Sequence, residues 1–296
     1  MNWLFHIGSD KVIAELLKDI EELPTPDFHV QQIINIASNP DASVKTLEKA
    51  ISTEPTLSLK VLKLVNSAYY GLPKKVTKIS EAVMILGFKT VRNLALSLFT
   101  YSSLNRGTSK IDKKMLWKHF MSTAIISEVV AKNIGYPEQE EAFMAGLLHD
   151  VGKIVLDIAF PEYLTMIVNK SRESKINLYK LEKMLEVETH NEIGSYLIEK
   201  WQLPELYQIV SKFHDEPEEN TSPGFNSIVF IVHLSNYISN LLYPGYSGSF
   251  GDPILSKDTF KVLGIKPSDL LKLIVKSKDS LAKAKDLMEG GEDNET

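Results

Sequence analysis

The chain has 296 residues, of which 44% are hydrophobic and 24% are charged, as in ordinary globular proteins. It contains no cysteine, which excludes disulfide bonds, thiolate metal sites and cysteine nucleophiles. The net charge of −5 gives no overall attraction to nucleic acid, and no apolar run reaches the roughly 18–20 residues of a membrane span. We therefore expect a soluble, cytoplasmic protein that binds no nucleic acid and holds any metal through histidine, carboxylate or amide oxygen.

The first third of the chain has the hydrophobic spacing of helices. Apolar residues recur at intervals of three and four, at Val30, Ile33, Ile34 and Ala37 and again at Leu57, Val61, Leu64 and Val65. Pro55 suits the first turn of a helix, where no backbone N–H bond is lost, and Thr53 is expected to cap that helix. Ser80 is expected to cap a further helix that Gly87 interrupts.

The middle of the chain continues the helical pattern. Asp112 is expected to cap a long helix that passes through His119 and is ended by Gly135. Pro137 opens the next helix, which runs into His149. Further helices are predicted near residues 160–172, 178–186, 189–201, 204–214 and 225–242. Because no convincing set of alternating strands is found, we predict an all-α fold.

Two stretches rich in turn-forming residues divide the chain, at residues 105–110 and 243–253. They predict four parts: an N-terminal segment over 1–14, an N-terminal helical lobe over 15–105, a second helical lobe over 106–245, and a helical tail over 246–296. The last residues of the tail are polar and glycine-rich, so we expect them to be disordered.

The most informative stretch covers residues 146–153, which read Gly-Leu-Leu-His-Asp-Val-Gly-Lys. The adjacent His149 and Asp150 supply an imidazole nitrogen and a carboxylate, a pair that suits divalent metals of the Fe, Mn, Ni or Zn type. Lys153 could meet a phosphate as a point charge. The alternative for Lys153 is a solvated lysine that follows a glycine turn.

His119, followed by the pair His149-Asp150, resembles the signature of the HD superfamily of metal-dependent phosphohydrolases. That signature ends with a distant aspartate, and the matching helix here reads Val-His-Leu-Ser-Asn, which places Asn236 at the aspartate position. His233 is expected to be a neighbour in the motif and not a ligand. The amide oxygen of Asn236 can face a metal but carries no charge, so the resemblance predicts weakened metal affinity and doubtful catalysis.

The resemblance also implies a second metal position. His190, His214 and Asp215 match, in order, the additional ligands of the two-metal branch of the superfamily. That branch usually carries two adjacent histidines where this chain has His214-Asp215. A site formed by Asp150, His190 and His214 is therefore expected to remain possible, with a divalent cofactor of the Fe, Mn, Ni or Mg type.

The N-terminal lobe narrows the resemblance to the HDOD family, a branch of the HD group. The matching pieces are Leu23-Pro24, residues 51–58, residues 79–95 and the run Val61-Leu62-Lys63-Leu64-Val65-Asn66-Ser67-Ala68-Tyr69-Tyr70-Gly71. Thr25-Pro26-Asp27 departs from the family pattern. The resemblance covers about residues 15–245 and implies a multi-helix HD-type bundle with the N-terminal lobe packed on it.

The HDOD resemblance implies a regulatory output domain of bacterial signal transduction, which binds a signalling protein or a nucleotide ligand without catalysis. The alternative is a metal-dependent phosphohydrolase acting on a nucleotide or cyclic dinucleotide, which the histidines and Lys153 favour. Asn236 opposes this alternative, as does the acidic segment at residues 215–220, where the cyclic-di-GMP phosphodiesterase branch carries a Gly-Tyr-Pro element. A third hypothesis, nucleic-acid binding by the lysines near residues 74–78 and 110–114, is less favoured because such clusters are usually solvated faces.

Overall fold

The structure, a computed structural model, describes residues 32, 33, 35, 36, 42–243 and 245–289. Within these ranges the chain forms α-helices and two short 3-10 helices, and it forms no strand. The predicted all-α fold is therefore confirmed. The predictions for the segment 1–14, for a helix through Val30, Ile34 and Ala37, and for the last residues, 290–296, fall on residues outside the described ranges.

The helices follow one another in three groups along the chain. The N-terminal lobe contains α1 (Val44–Ser52), α2 (Pro55–Val65), α3 (Ile79–Leu86) and α4 (Phe88–Leu104). The second lobe contains α5 (Lys113–Ile134), α6 (Gln139–Leu148), α7 (Gly152–Ala159), α8 (Pro161–Ser174), α9 (Leu178–Met184), α10 (His190–Lys200), α11 (Glu205–Phe213) and α12 (Asn226–Leu242). The tail contains α13 (Thr259–Val262), α14 (Asp269–Lys283) and α15 (Lys285–Met288). None of these helices combines the length and the hydrophobicity that crossing a membrane requires.

Two of the predicted helix caps are wrong. Helix α2 begins at Pro55 as expected, but its N-cap residue is Glu54, whose side chain makes no capping bond. The Thr53 hydroxyl instead donates to the carbonyl of Lys49 at 2.7 Å, because a threonine four residues after a free carbonyl can satisfy the end of the preceding helix. Ser80 is the second residue of α3 and does not cap it.

Helix α5 is the central element of the second lobe. Its 22 residues extend over about 33 Å, and it packs against α6, α12 and α14. The Asp112 carboxylate caps its first turn by accepting from the backbone N–H of Met115, and Gly135 ends it in the left-handed conformation, both as predicted. The tail lies on the same helix, where Trp117 Nε1 donates to the Leu287 carbonyl at 3.2 Å. The tail residues therefore extend the core of the second lobe.

Close helix crossings are made possible by two glycines in the His-Asp motif. A Cβ atom on Gly152 would lie 1.9 Å from the carbonyl oxygen of His190 and 2.7 Å from the backbone nitrogen of Gly194. A Cβ atom on Gly146 would lie 2.8 Å from the carbonyl oxygen of Thr123 on α5. Side chains at these positions would force the helices apart. The two glycines thus hold the turn between α6 and α7 close to both α5 and α10.

The N-terminal lobe is joined to the second lobe by partly buried polar contacts. The Tyr69 hydroxyl donates to Glu128 Oε2 on α5 at 2.6 Å, and Asn93 Nδ2 donates to the Glu140 carbonyl on α6 at 2.8 Å. Burial raises the pKa of Glu128, while the bond from Tyr69 opposes that rise. The protein therefore carries a partly desolvated carboxylate at the junction between its lobes.

The glycine crossing can be tested by Gly152→Ala. Because the added methyl group meets backbone atoms and not a flexible side chain, we expect the free energy of unfolding to fall by about 3 kcal/mol. The matched control is Gly224→Ala, since a Cβ atom there meets nothing within 4 Å; it should change the stability by less than about 1 kcal/mol. Denaturant unfolding measures the stability of both variants. Equal stability would contradict the close approach of α7 and α10 at Gly152.

The junction carboxylate predicts a pH-dependent effect of Glu128→Gln. An acid whose pKa is raised by folding destabilises the folded state once it ionises, so this penalty is absent below the ordinary value of 4.5 and grows as the pH rises through the folded pKa. Glutamine keeps an acceptor for Tyr69 without the charge. We expect the variant to gain stability relative to the wild type as the pH rises from 4 to about 7. A stability difference that is constant or shrinks over this range in urea unfolding would contradict the assignment.

Candidate metal centre

The structure brings six of the seven predicted metal-site residues together where α5, α6, α7, α10 and α11 meet. One histidine lies in the first half of α5, the His-Asp pair occupies the turn between α6 and α7, and the remaining residues come from the start of α10 and the end of α11. These residues are His119, His149, Asp150, His190, His214 and Asp215. The four histidines and Asp150 are at most 1% exposed.

Asp150 lies at the centre of this cluster. Its Oδ2 atom is 3.2 Å from His119 Nε2 and 3.3 Å from His149 Nε2. Its Oδ1 atom is 3.1 Å from His190 Nε2 and 3.4 Å from His214 Nε2. Each carboxylate oxygen therefore faces one pair of histidines. We name His119, His149 and Asp150 the first triad and Asp150, His190 and His214 the second triad; the potential ligand atoms within each triad lie within 4.8 Å of one another.

Backbone carbonyls orient two of the four imidazole rings. His149 Nδ1 lies 2.7 Å from the Gly146 carbonyl, and His214 Nδ1 lies 2.9 Å from the Ser211 carbonyl. A carbonyl only accepts hydrogen bonds, so the proton is on Nδ1 in both rings. In a neutral ring the lone pair of Nε2 then points to the centre of the cluster, as in histidines that ligate metals.

Side chains orient the other two rings, and neither side chain was predicted from the sequence. His190 Nδ1 is 2.6 Å from the buried Glu182 Oε2, and His119 Nδ1 is 3.2 Å from Ser239 Oγ. Ser239 Oγ is in turn 2.6 Å from Ser122 Oγ. Glu182 lies on α9, eight residues before His190, and no motif marks it. Ser239 lies one helical turn after Asn236 on α12, so helical periodicity was a signal that could have identified it.

The two triads differ in charge. Burial lowers the pKa of His119 to about 4 and also lowers the pKa of His149, so both rings are neutral at pH 7. Burial alone would raise the pKa of Asp150, but the Lys153 ammonium, 2.6 Å from Oδ2, and the nearby imidazoles hold it well below its ordinary value. The first triad is therefore already in the protonation state that metal ligation requires.

In the second triad, burial and the nearby carboxylates shift the pKa values of the two histidines in opposite directions. Burial would lower the pKa of both histidines, but Glu182 raises that of His190, and Asp215 and Asp150 raise that of His214 to about 10. Asp215 Oδ2 lies 3.2 Å from His214 Nε2, and its own pKa is lowered by that contact despite its burial. A metal at the second triad must therefore displace protons.

The donor atoms of the cluster fit a metal ion. Asp150 Oδ1, His190 Nε2 and His214 Nε2 are buried and make no hydrogen bond of good geometry in the described part of the chain, although both nitrogens lie within ion-pair distance of Asp150. Buried polar atoms that lack well-formed hydrogen bonds are unfavourable, and a cation between these three would act as a common partner for all of them. The buried histidine and aspartate groups can therefore hold a metal.

The structure places Lys153 inside the protein. The side chain is 5% exposed, and its ammonium is bonded to Asp150 Oδ2, which rules out the alternative of a solvated lysine. Its predicted phosphate contact stays a prediction.

Asn236 lies outside the two triads. Its Oδ1 accepts from Asn240 Nδ2 at 2.7 Å, and it borders a neighbouring cavity. His233 Nδ1 donates to the His214 carbonyl at 2.7 Å, and its Nε2 accepts from the backbone N–H of Ser256 at 2.9 Å. Because both ring nitrogens of His233 are bonded to the backbone, the ring holds neighbouring segments together.

A small cavity of about 180 Å³ adjoins the cluster at Asp215. Its lining includes Tyr179, Lys180, Asp215, Glu216, Glu218 and Asn236, and we name it the acidic cavity. Pockets that bury drug-sized ligands have about 300–1,000 Å³. The acidic cavity is therefore small, and its charged lining groups are three carboxylates and one lysine.

The helical bundle, with histidines on converging helices around one aspartate, has the architecture of HD-type metal-site proteins. A family model agrees with this class, since the model described as "HDOD domain" matches residues 23–217. The chain belongs to the HDOD family.

The chain is also similar to a protein of known sequence and to solved structures. An uncharacterised protein of Treponema pallidum (strain Nichols) is 32% identical over 223 residues, which are 74% of this chain and 42% of that protein. This chain spans less than half the length of the curated relatives it matches.

Among solved structures, a candidate phosphohydrolase of Shewanella amazonensis matches with a TM-score of 0.71 and 24% identity, covering 94% of this chain and 97% of its own. A candidate signal transduction protein of Marinobacter aquaeolei matches with a TM-score of 0.74 and 24% identity, covering 92% of this chain and 61% of its own. Both structural likenesses establish the shared fold.

Metal analysis tests the cluster directly. Protein purified without chelator should contain divalent metal by plasma mass spectrometry. His149→Ala should lower the content by removing a ligand of the first triad, and Asp150→Asn should lower it further because Asp150 belongs to both triads. His233→Gln is the control histidine variant. Both ring nitrogens of His233 are bonded to backbone groups and it is not a member of either triad, so this variant should leave the metal content unchanged. Equal metal content in the wild type and Asp150→Asn would contradict the assignment.

Proposed function

We propose that this protein is a regulatory output domain of bacterial signal transduction, which acts by binding a partner protein or a small ligand. Its HD-type cluster holds a divalent metal and does not turn over a phosphoester. Membership in the HDOD family supports the regulatory role, as does the similarity in fold to a candidate signal transduction protein. The observation that carries the proposal is the burial of every ligand atom of the two triads.

Burial opposes catalysis because a substrate phosphate must come close to the metal and to the attacking water, at about 3–3.5 Å for the reacting atoms. Asp150 and the four histidines are at most 1% exposed. Asp215, whose side chain is 18% exposed, is the member of the cluster that borders the acidic cavity. The burial of these five residues therefore opposes direct contact between a polyanionic substrate and the triads.

The charges near the cluster also oppose phosphate binding. The acidic cavity carries Asp215, Glu216 and Glu218 against the single Lys180, so its field repels a phosphoester. Lys153 borders a different cavity, so it adds no positive charge to the acidic cavity.

A bound divalent metal would neutralise Asp150 and occupy the space between the inward-facing Nε2 atoms of the histidines. The residues that would hold it are those of the first and second triads. Ligation would therefore connect α5, α10, α11 and the turn between α6 and α7. Imidazole nitrogens with one carboxylate suit Fe, Mn, Ni or Zn, whereas Mg²⁺ prefers oxygen ligands. We propose that the metal is of the former type and that its role is to stabilise one arrangement of these helices.

The second candidate is a metal-dependent phosphohydrolase acting on a nucleotide or cyclic dinucleotide. The observation that favours it is the shared position of Asp150, which places two ligand sets side by side. Two adjacent metals with a common carboxylate are typical of phosphoester hydrolysis. The missing carboxylate at position 236 and the buried donors oppose this candidate.

A panel of phosphoesters, assayed on the metal-loaded wild type and on Asn236→Asp, separates the two candidates. We expect turnover well below about 1 per second for both proteins, because Asn236 lies in the acidic cavity and a further carboxylate there adds repulsion. Asp150→Asn is the control that identifies contaminating activity. Turnover on the order of 1 per second in the wild type, lost in Asp150→Asn, would establish the hydrolase instead.

A further inference from the structure

A second cavity, of about 350 Å³, lies between the start of α5, helix α8 and the loop of residues 245–250. Its charged and aromatic lining residues are Lys110, Asp112, Lys153, Arg172, Tyr246 and Phe250, and we name it the basic cavity. It shares no lining residue with the acidic cavity. Its volume falls in the range of pockets that bury small organic ligands.

The basic cavity has an excess of positive charge. Three cationic residues line it, and Asp112, its one acidic residue, already accepts a hydrogen bond from the Met115 backbone N–H at the start of α5. The guanidinium of Arg172 stacks over the ring of Phe250, with 4.6 Å from Cζ to the ring centroid. This stacking holds a planar cation at the wall of the cavity. A concave site with this charge attracts an anionic group.

The rest of the lining suits a flat organic body. Ile111, Leu116, Leu164 and Val168 supply apolar surface, and Tyr246 and Phe250 supply aromatic rings. Thr165, Asn169 and Ser247 add neutral hydrogen-bonding groups. An apolar pocket with a few convergent polar groups is typical of a small-molecule site, since the apolar surface provides affinity and the polar groups fix the orientation.

One residue connects the basic cavity to the metal centre. Lys153 lines the cavity, while its ammonium lies 2.6 Å from Asp150 Oδ2. An anion in the cavity would interact with the same Lys153 ammonium that is bonded to Asp150. It would therefore weaken the charge interaction between Lys153 and the Asp150 carboxylate. Binding of a ligand in the basic cavity would therefore affect the two triads through Lys153.

We propose that the basic cavity binds a nucleoside monophosphate, with the phosphate among Lys110, Lys153 and Arg172 and the base against the apolar and aromatic wall. The ligand has to combine a compact anion with one flat ring system to match the lining, and a cavity of this volume favours one nucleotide over two. This proposal rests on the proposed regulatory function and names the ligand class that the domain would sense.

Isothermal titration calorimetry with 5′-AMP and 5′-GMP tests the proposal on the purified full chain. We expect at least one of the two to bind with a Kd below about 1 mM and to remain unhydrolysed. Adenosine or guanosine, which lacks the phosphate, should bind at least tenfold more weakly. Inorganic phosphate, which lacks the base, should also bind more weakly than the nucleotide. Cyclic di-GMP, with two nucleotides, should not compete.

Arg172→Gln and Lys110→Gln locate the bound nucleotide without altering the triads. Each should weaken binding about tenfold or more by removing a charged partner of the phosphate, while thermal unfolding verifies the fold. Lys180→Gln, in the acidic cavity, is the matched control and should bind as the wild type does.

Binding of neither nucleotide, equal binding of the nucleosides, or wild-type affinity in both Arg172→Gln and Lys110→Gln would overturn the assignment. Hydrolysis of the bound nucleotide would overturn the proposed function instead, so the two failures are distinguishable.

Discussion

The carboxylate of Asp150 is 1% exposed, and burying an ionised carboxylate costs several kcal/mol unless other groups compensate it. Here the compensation comes from the Lys153 ammonium at 2.6 Å and from four imidazoles, whose Nε2 atoms lie 3.1 to 3.4 Å from the carboxylate oxygens. Three of these partners, His119, His190 and His214, are far from Asp150 in the sequence, so the segments that carry them have to converge on one point. The fold of this lobe, its protonation pattern and its fitness for a metal all follow from that requirement.

Convergence of this kind needs helices that approach closely, and the motif supplies the means. Gly152 lets α7 start against the backbone of α10, and Gly146 lets α6 lie against α5. Residues 146–153 therefore provide two of the candidate ligands, His149 and Asp150, and the close packing that brings the other ligands towards them. Lys153, at the end of the motif, lines the basic cavity and is bonded to Asp150, so it connects the proposed ligand site to the candidate metal centre.

Helical periodicity predicted the all-α fold and most helix bounds. The His149-Asp150 pair pointed to a metal site by itself, whereas His119, His190 and His214 were implied by the resemblance to the HD superfamily. The sequence did not reveal Glu182 or Ser239, since each meets its histidine only through tertiary packing. The cap at Thr53 was wrong because a nearby carbonyl competed for the hydroxyl. The basic cavity was also missed, since it is formed by three segments that no single motif spans.

The most direct test of the metal centre is anomalous diffraction from crystals of the metal-loaded protein, recorded at the absorption edge of the bound metal. The account predicts an anomalous peak at about 2.0–2.2 Å from an oxygen of Asp150 and from the Nε2 atoms of a histidine pair. The peak should be absent in Asp150→Asn. A wild-type protein with no peak at the triads, or with its metal bound only in the acidic cavity, would contradict the account.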